Sequence, residues 1–439
     1  MKRKYHLLLF EAIIFYGISI YWFFIRKKLV NSRKYDSKPR LFFGPTPIIN
    51  NKYWSHSLIE LGYTSKTVMN GVYSINNKED FDLYFDEIYD PWGNWKYRKV
   101  ADYLKIWQGY KLLDYALKNF DIFHIPYDGI FLPNSIFWKK EALILKKYGC
   151  KIVTIPYGGD FYVYSKLRSH SRHHTFLMSY PEKADQEDSI NERVSHWNKY
   201  SDCIIVSRAI DSIPKWDILT FSILNINTKE WQSQGKRKFE TDGVNGSVKI
   251  VHAPNHRGVK GTEFIVEAIK ELKAEGILID FILIEKMKNS EVKRILQTEA
   301  DILLEQIIIG HGLNAIEGMA CGLPVITNLE EEGYANVFRR FSFFNECPLV
   351  SATPEDIKET LRLLIKNPAL RQKLGDAGKE YAEKYHSYRS SQYMFTKVYE
   401  KIWHGKQVDL INLYHPLFPD SYNNQSPKVQ HPLIENKIK

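Results

Sequence analysis

Cysteine is scarce in this 439-residue chain: Cys150, Cys203, Cys321 and Cys347 stand far apart and form no CxxC pair. A disulfide scaffold and a structural zinc site built on paired cysteines are therefore excluded. The sequence has no GxSxG elbow and no P-loop, so the serine-hydrolase nucleophile and the Walker phosphate cradle are missing too. It has no short internal repeat and no low-complexity tract, which removes solenoids and disorder as its main state. Apolar runs long enough to cross a bilayer are confined to one segment near the start, so a multi-span membrane protein is excluded. Positive charge is missing from most of the chain as well. Formal net charge is +10, but residues 1–40 hold ten basic residues against Glu11 and Asp36, a net of +8. The rest is close to neutral, and no nucleic-acid partner is expected.

What the chain has in quantity is apolar and aromatic bulk. Hydrophobic residues make up 44%, with 28 Tyr and 24 Phe, enough for large packed cores. The length predicts two domains of similar size. Tyr5 to Ile25 is a run of mostly apolar residues; as a helix it reaches about 30 Å, the thickness of a bilayer core. Tyr21, Trp22, Phe23 and Phe24 gather at its C-terminal end, as at a membrane interface. His6 and Glu11 count against a clean span, and no small-residue cleavage site follows the run. Residues 1–38 are expected to form a membrane anchor, as a single span or an interfacial helix. The heavier basic cluster on its C-terminal side places the body at the cytoplasmic face. An ordinary amphipathic or buried helix is the other reading. A chain lacking residues 1–38 is expected to keep its fold, since the first strand begins near Arg40.

Strand-like and helix-like segments alternate through the body. Strands are expected at 40–44, 67–72, 82–89, 121–126, 151–156 and 203–207, with helices at 52–62, 134–149 and 185–200. Residues 226–247 are polar with three glycines and read as a linker. The alternation restarts at 248–253 and runs to a last helix ending at Trp403; 404–439 reads as a loose polar tail. The expected fold is α/β: two Rossmann-like doubly wound domains, 39–225 and 248–403, facing a cleft, plus the N-terminal hydrophobic helix.

Two segments carry chemistry. Gly310 and Gly312 precede a short helix from Leu313, where free N–H groups and the helix dipole favour an anion. Glu317 lies one turn on, able to reach hydroxyls attached to that anion. A plain helix packed on a sheet reads equally well. Arg257 and Lys260 sit in a glycine-containing loop just past the strand 248–253. Two cations there suit a pyrophosphate, although a solvated basic loop is the simpler reading of that motif alone. His170, His173 and His174 lack metal-ligand spacing and are read as a mobile acceptor-facing loop. Lys139, Lys140, Lys146 and Lys147 share one helix face, either solvated or turned to a membrane.

In order and spacing, Arg257, Lys260-Gly261 and the run IEGMACGLPVI from Ile316 to Ile326 resemble the retaining GT-B glycosyltransferases of family 4, the group 1 glycosyl transferases. The likeness is strong over 248–400 and weaker, though consistent in order, over 40–225. It implies a metal-independent glycosyltransferase needing no cofactor, whose partners are a nucleotide-diphosphate sugar and a glycan or lipid-linked glycan acceptor. It implies a donor site of Arg257, Lys260, Gly310, Gly312, Leu313, Asn314 and Glu317, with the cations on the diphosphate and Glu317 on the ribose. Gly44 falls in the family's cleft-facing loop. Tyr157-Gly158-Gly159-Asp160 takes the place of a His-Gly-x-Asp loop, with Asp160 as the candidate catalytic residue. The family's first glutamate, eight residues before Glu317, is replaced by Ile309. Two alternatives therefore stand beside the enzyme in surface polysaccharide synthesis: a catalytically inactive subunit of a membrane complex, and a sugar-nucleotide epimerase.

Overall fold

The structure is a computed structural model that describes residues 5–90 and 101–438, save 209, 234, 236, 419 and 421. Residues 1–4 of the expected anchor, 234 and 236 of the expected linker, and 419, 421 and 439 of the expected tail lie outside the described residues. Seven strands make the first sheet: β1 (Leu41–Phe43), β2 (Ser65–Met69), β3 (Leu83–Tyr84), β4 (Ile122–Ile125), β5 (Lys151–Thr154), β6 (Cys203–Val206) and β7 (Ile218–Leu219). Their order is β3-β2-β1-β4-β5-β6-β7, and every pairing is parallel. The second sheet holds β8 (Val248–His252), β9 (Ile279–Leu283), β10 (Ile302–Gln306), β11 (Val325–Thr327) and β12 (Val350–Ser351). Its order is β12-β11-β10-β8-β9, again all parallel. Strands such as β4 (IFHI) and β6 (CIIV) are buried along their whole length, as expected where helices cover both faces. Each sheet has one point where the strand order reverses, between β1 and β4 and between β8 and β10. Doubly wound sheets bind ligands at such points, beyond the carboxyl ends of the strands.

Several expectations change. The strand expected at 82–89 is two residues long and runs into a one-turn helix, Phe85–Ile88. The segment 226–247 is packed against the body: Trp231 and Phe239 are buried, and Arg237 donates to the carbonyls of Leu296, Gln297 and Ala300. The stretch 404–439 is anchored rather than loose. Leu410, Tyr414 and Tyr422 are buried, and Asn436 donates to the carbonyls of Cys347 and Leu349. The last long helix, Tyr388–Ile402, crosses back to the first unit, where Phe395 packs edge-on to Phe43 and Tyr399 bonds His124 at 2.9 Å.

The N-terminal helix runs from Tyr5 to Asn31, long and apolar enough to cross a membrane. One side lies along a helix the sequence reading did not foresee, Ala101–Asn119. Leu7, Glu11, Trp22 and Leu29 are buried there, and the Trp22 indole donates to Asp114 at 2.9 Å. Beyond the helix, Arg33 is buried and donates to the carbonyls of Leu117, Phe120 and Tyr148 and to the Asp121 carboxylate. Residues of the segment 5–38 therefore contribute to the core of the first unit, against the expectation that a chain lacking 1–38 keeps its fold.

Candidate active site

At the β8/β10 reversal, His252 closes β8. Its ring bonds the Leu304 carbonyl and the Thr262 hydroxyl, each at 2.9 Å, and burial pulls its pKa down to about 4. The neutral imidazole thus ties β8 to β10 and to the helix Thr262–Ala274. A one-turn helix, Arg257–Lys260, fills the gap between them and ends at Gly261 with φ +73°. A Cβ at Gly261 would stand 2.7 Å from the Ile307 side chain, so the chain here approaches β10 as only glycine can.

The two cations point different ways. Arg257 is 40% exposed and is held by Glu263 at 2.8 Å and Glu285 at 3.1 Å. Lys260 turns inward and pairs with Glu305, a carboxylate the sequence reading passed over. Glu305 stands where the β10–β11 register slips between Leu304 and Gln306. A bulge of this kind re-aims a side chain, and the Glu305 carboxylate reaches Gly312, accepting its N–H at 3.0 Å. Lys260, Glu305 and the Gly312 amide therefore converge at the start of the helix Leu313–Ala320. Both donors are held by Glu305, so an anion at this helix terminus would have to displace that carboxylate to use them.

The glycines are needed where they stand. Gly310 has φ +47° against the Tyr334 ring, and a Cβ on Gly312 would lie 2.9 Å from Glu305 Oε1. Beyond them, buried polar atoms have no hydrogen-bond partner among the described residues: Asn314 Oδ1 and His311 Nε2. Glu317 is 6% exposed and no described donor reaches its carboxyl. Burial pushes its pKa up to about 8, with Lys293 opposing and Glu305 adding to the shift. Leu313 is half-buried at the helix start. Buried polar atoms are almost always satisfied in folded proteins, so Asn314 Oδ1 at this helix start leaves an acceptor open to a polar ligand.

At the β1/β4 reversal there is a cavity of about 510 Å³, whose walls include Thr46, Tyr73, Asp128, Tyr157, Lys183 and Arg193. Gly44 leads into it, and a Cβ there would fall 2.1 Å from the Val68 carbonyl oxygen. Gly158 has φ +147°, whereas Gly159 has room for a side chain. Asp160 is not on the cavity wall. Its two oxygens accept the backbone N–H groups of Tyr127 at 3.0 Å, Tyr157 at 3.1 Å and Gly158 at 2.9 Å. Burial, reinforced by Asp128, raises its pKa to about 7. We therefore assign Asp160 to holding the 157–160 loop. The carboxylate that does face the cavity is Asp128, which accepts the Tyr157 hydroxyl at 2.8 Å. Its only signal in the sequence was an Asp-Gly turn after a strand.

The segment with the three histidines is a helix, His170–Ser179, not a mobile loop. It lies between the units: Arg172 pairs with Glu331 of the second unit, and Tyr180 packs edge-on to His256 at 5.3 Å. Arg208 of the first unit donates to the His311 carbonyl. Ile309 is half-buried and packs against the cluster of Tyr164, Leu167 and Phe176.

Residues 261–381 match the family model described as glycosyl transferases group 1. Over that stretch the chain is similar to the group 1 glycosyl transferases. The matched stretch holds Gly261, Glu305, Gly310, Gly312 and Glu317 and begins one residue after Lys260. A glycosyltransferase of Methanocaldococcus jannaschii is 28% identical over 162 residues, 33% of this chain and 45% of the relative. The chain thus matches just under half the length of that curated relative. An alpha-glucosyltransferase solved with UDP and a 13-mer DNA superposes with a TM-score of 0.51 at 11% identity, covering 83% of this chain and 100% of that one. That likeness shows the fold alone, two doubly wound units in the GT-B arrangement. The catalytic domain of starch synthase IV from Arabidopsis thaliana, bound to ADP and acarbose, matches at 0.38 with 12% identity, over 81% of this chain and 100% of its own, too loosely to weigh.

Proposed function

We propose that this protein is a retaining, metal-independent glycosyltransferase that takes a nucleotide-diphosphate sugar in its second unit, residues 248–403. It passes the sugar to a glycan or lipid-linked glycan held by the first unit, residues 39–225. It acts attached to a membrane at its cytoplasmic face, and its product enters a surface polysaccharide. The observation that carries this reading is the convergence of Lys260 and the Gly312 amide on Glu305 at one helix start, with the buried Glu317 carboxyl one turn on, at the beginning of and within a stretch matching the group 1 model. Cation and helix terminus stabilise the diphosphate as the bond from the sugar carbon to its phosphate oxygen breaks. The acceptor oxygen forms the new bond, and the leaving phosphate takes the acceptor proton, so no strong protein base is required. The cavity at β1/β4, with Asp128, Tyr157 and Lys183 on its wall, offers hydroxyl-binding groups to the acceptor.

Incubating the purified protein with UDP-, GDP- and ADP-sugars tests the reading. Release of nucleoside diphosphate that speeds up with a glycan acceptor is expected; an isomerised sugar nucleotide without release would refute it. The packing of Ile309 into an apolar cluster favours one second reading, a nucleotide-binding subunit without catalysis. That reading requires nucleotide binding with no turnover of any donor.

A further inference from the structure

The N-terminal helix is apolar on every side, yet only a few of its residues are covered by protein. Outward from the body it presents Leu9, Ile13, Tyr16, Ile20 and Phe24, each at least 60% exposed. Their spacing of four, three, four and four residues makes one continuous stripe. Tyr5, 90% exposed, extends the stripe at one end. At the other end Arg26, Lys27 and Lys28 are exposed, with no carboxylate partner among the described residues. A hydrophobic stripe ending in unpaired cations matches a bilayer surface with anionic headgroups.

The mode of contact follows from how the helix is fastened. His6 meets the Tyr103 hydroxyl at 2.5 Å, Lys118 donates to the Tyr21 hydroxyl at 3.0 Å, and Trp22 donates to Asp114. Phe15 stacks on Phe137 at 4.1 Å, and Arg33 is buried under the first sheet. These ties run from one end of the helix to the other. The partner helix, Ala101–Asn119, carries Asp102, Lys105, Asp114 and Lys118. A helix crossing the bilayer would drag those charges into hydrocarbon or tear away from the domain.

We propose that the N-terminal helix lies in the plane of an anionic bilayer surface, with the Leu9–Ile13–Tyr16–Ile20–Phe24 stripe in the lipid and both helix ends on the same side. This rests on the membrane attachment proposed above and specifies its form. At a rise of ~1.5 Å per residue, the 27-residue helix lays down about 40 Å of apolar surface along the membrane. The enzyme is thereby held with one side of its first unit against the lipid.

The test uses the full-length chain in bacterial cells, with Tyr5→Cys as a reporter; the native cysteines are all buried. The protein is expected in the membrane fraction and to be released by carbonate at about pH 11, which strips peripheral proteins and leaves spanning ones. The introduced thiol is expected to react with an impermeant maleimide only after spheroplasts are opened. Labelling of that thiol in intact spheroplasts, or resistance to carbonate, would show a span and overturn the in-plane form while leaving attachment standing. Recovery in the soluble fraction would overturn attachment itself. With purified protein, the triple variant Leu9→Glu, Ile13→Glu, Ile20→Glu is expected to lose at least tenfold in binding to phosphatidylglycerol-containing vesicles, with an unchanged melting temperature. Loss of a dimer in that variant, with vesicle binding intact, would assign the stripe to a second copy instead.

Discussion

Glu317→Gln separates two roles for the buried acid because glutamine mimics the protonated form. In the free protein burial lifts this carboxyl from 4.5 to about 8, so at neutral pH it carries its proton. Between those two values the folded state binds a proton that the unfolded state has released, so stability falls as pH rises through the window. Each pH unit corresponds to ~1.4 kcal/mol, and the whole window to on the order of 5 kcal/mol. The contribution is fully present below about pH 4.5 and lost above about pH 8. Glutamine does not titrate. Urea denaturation of both proteins at about pH 5 and about pH 9 should therefore give near-equal stability at the lower pH and a more stable variant at the higher. Nucleotide affinity reports the other half. A ribose diol bound by the ionised carboxylate expels the proton, so affinity in the parent should rise about tenfold per pH unit up to about pH 8 and then level off. In Glu317→Gln it should be weaker by ~2–4 kcal/mol on that plateau and flat with pH. Parallel stability profiles would refute the buried neutral acid; equal nucleotide affinity would refute the ribose contact.

Lys260→Ala should weaken nucleoside diphosphate binding about 10- to 100-fold by calorimetry, and Arg257→Ala less, because only Lys260 turns into the helix terminus; nucleoside without phosphates should bind all three proteins alike. Asp160→Asn should lower stability by ~1–3 kcal/mol and slow turnover without moving its pH profile, since the carboxylate serves backbone amides; a moved profile would make it a catalytic group. Arg33→Ala strips donors from three carbonyls and Asp121 and should cost ~3–5 kcal/mol in chemical denaturation; no loss would mean that the N-terminal segment is not part of the fold.

The parts of the fold legible in the sequence were those with local grammar. The strands at 41, 122, 151, 203 and 248 are short apolar runs bounded by turns, and the glycines at 310 and 312 announced a tight approach to a helix start. What escaped was relational. Ala101–Asn119 interleaves Ile106, Tyr110, Leu113 and Leu117 with lysines and aspartates, and its partner is the N-terminal helix, so neither explained the other in isolation. Glu305 sits inside ILLEQIII as one acid in an apolar run; only the bulge in β10 gives it a direction. Arg33 read as one more cation in a basic cluster, because nothing local marks a guanidinium that caps three carbonyls from two distant segments. Asp160 had the right neighbours for catalysis, and only the geometry of three backbone amides assigns it elsewhere.

The return of the helix Tyr388–Ile402 to the first unit has a consequence for the order in which the protein is made. Phe43, Trp54 and His124 belong to the segments synthesised earliest, yet Phe395 and Tyr399, which cover them, leave the ribosome almost last. Until then an aromatic face of the first sheet stays open to water, and the emerging chain has an N-terminal half that cannot be completed by itself. Finishing that half means closing a loop that contains the entire second unit, a slow kind of contact. A nascent chain ending near residue 225 should therefore expose hydrophobic surface to chaperones and proteases, while the same residues in the released protein do not.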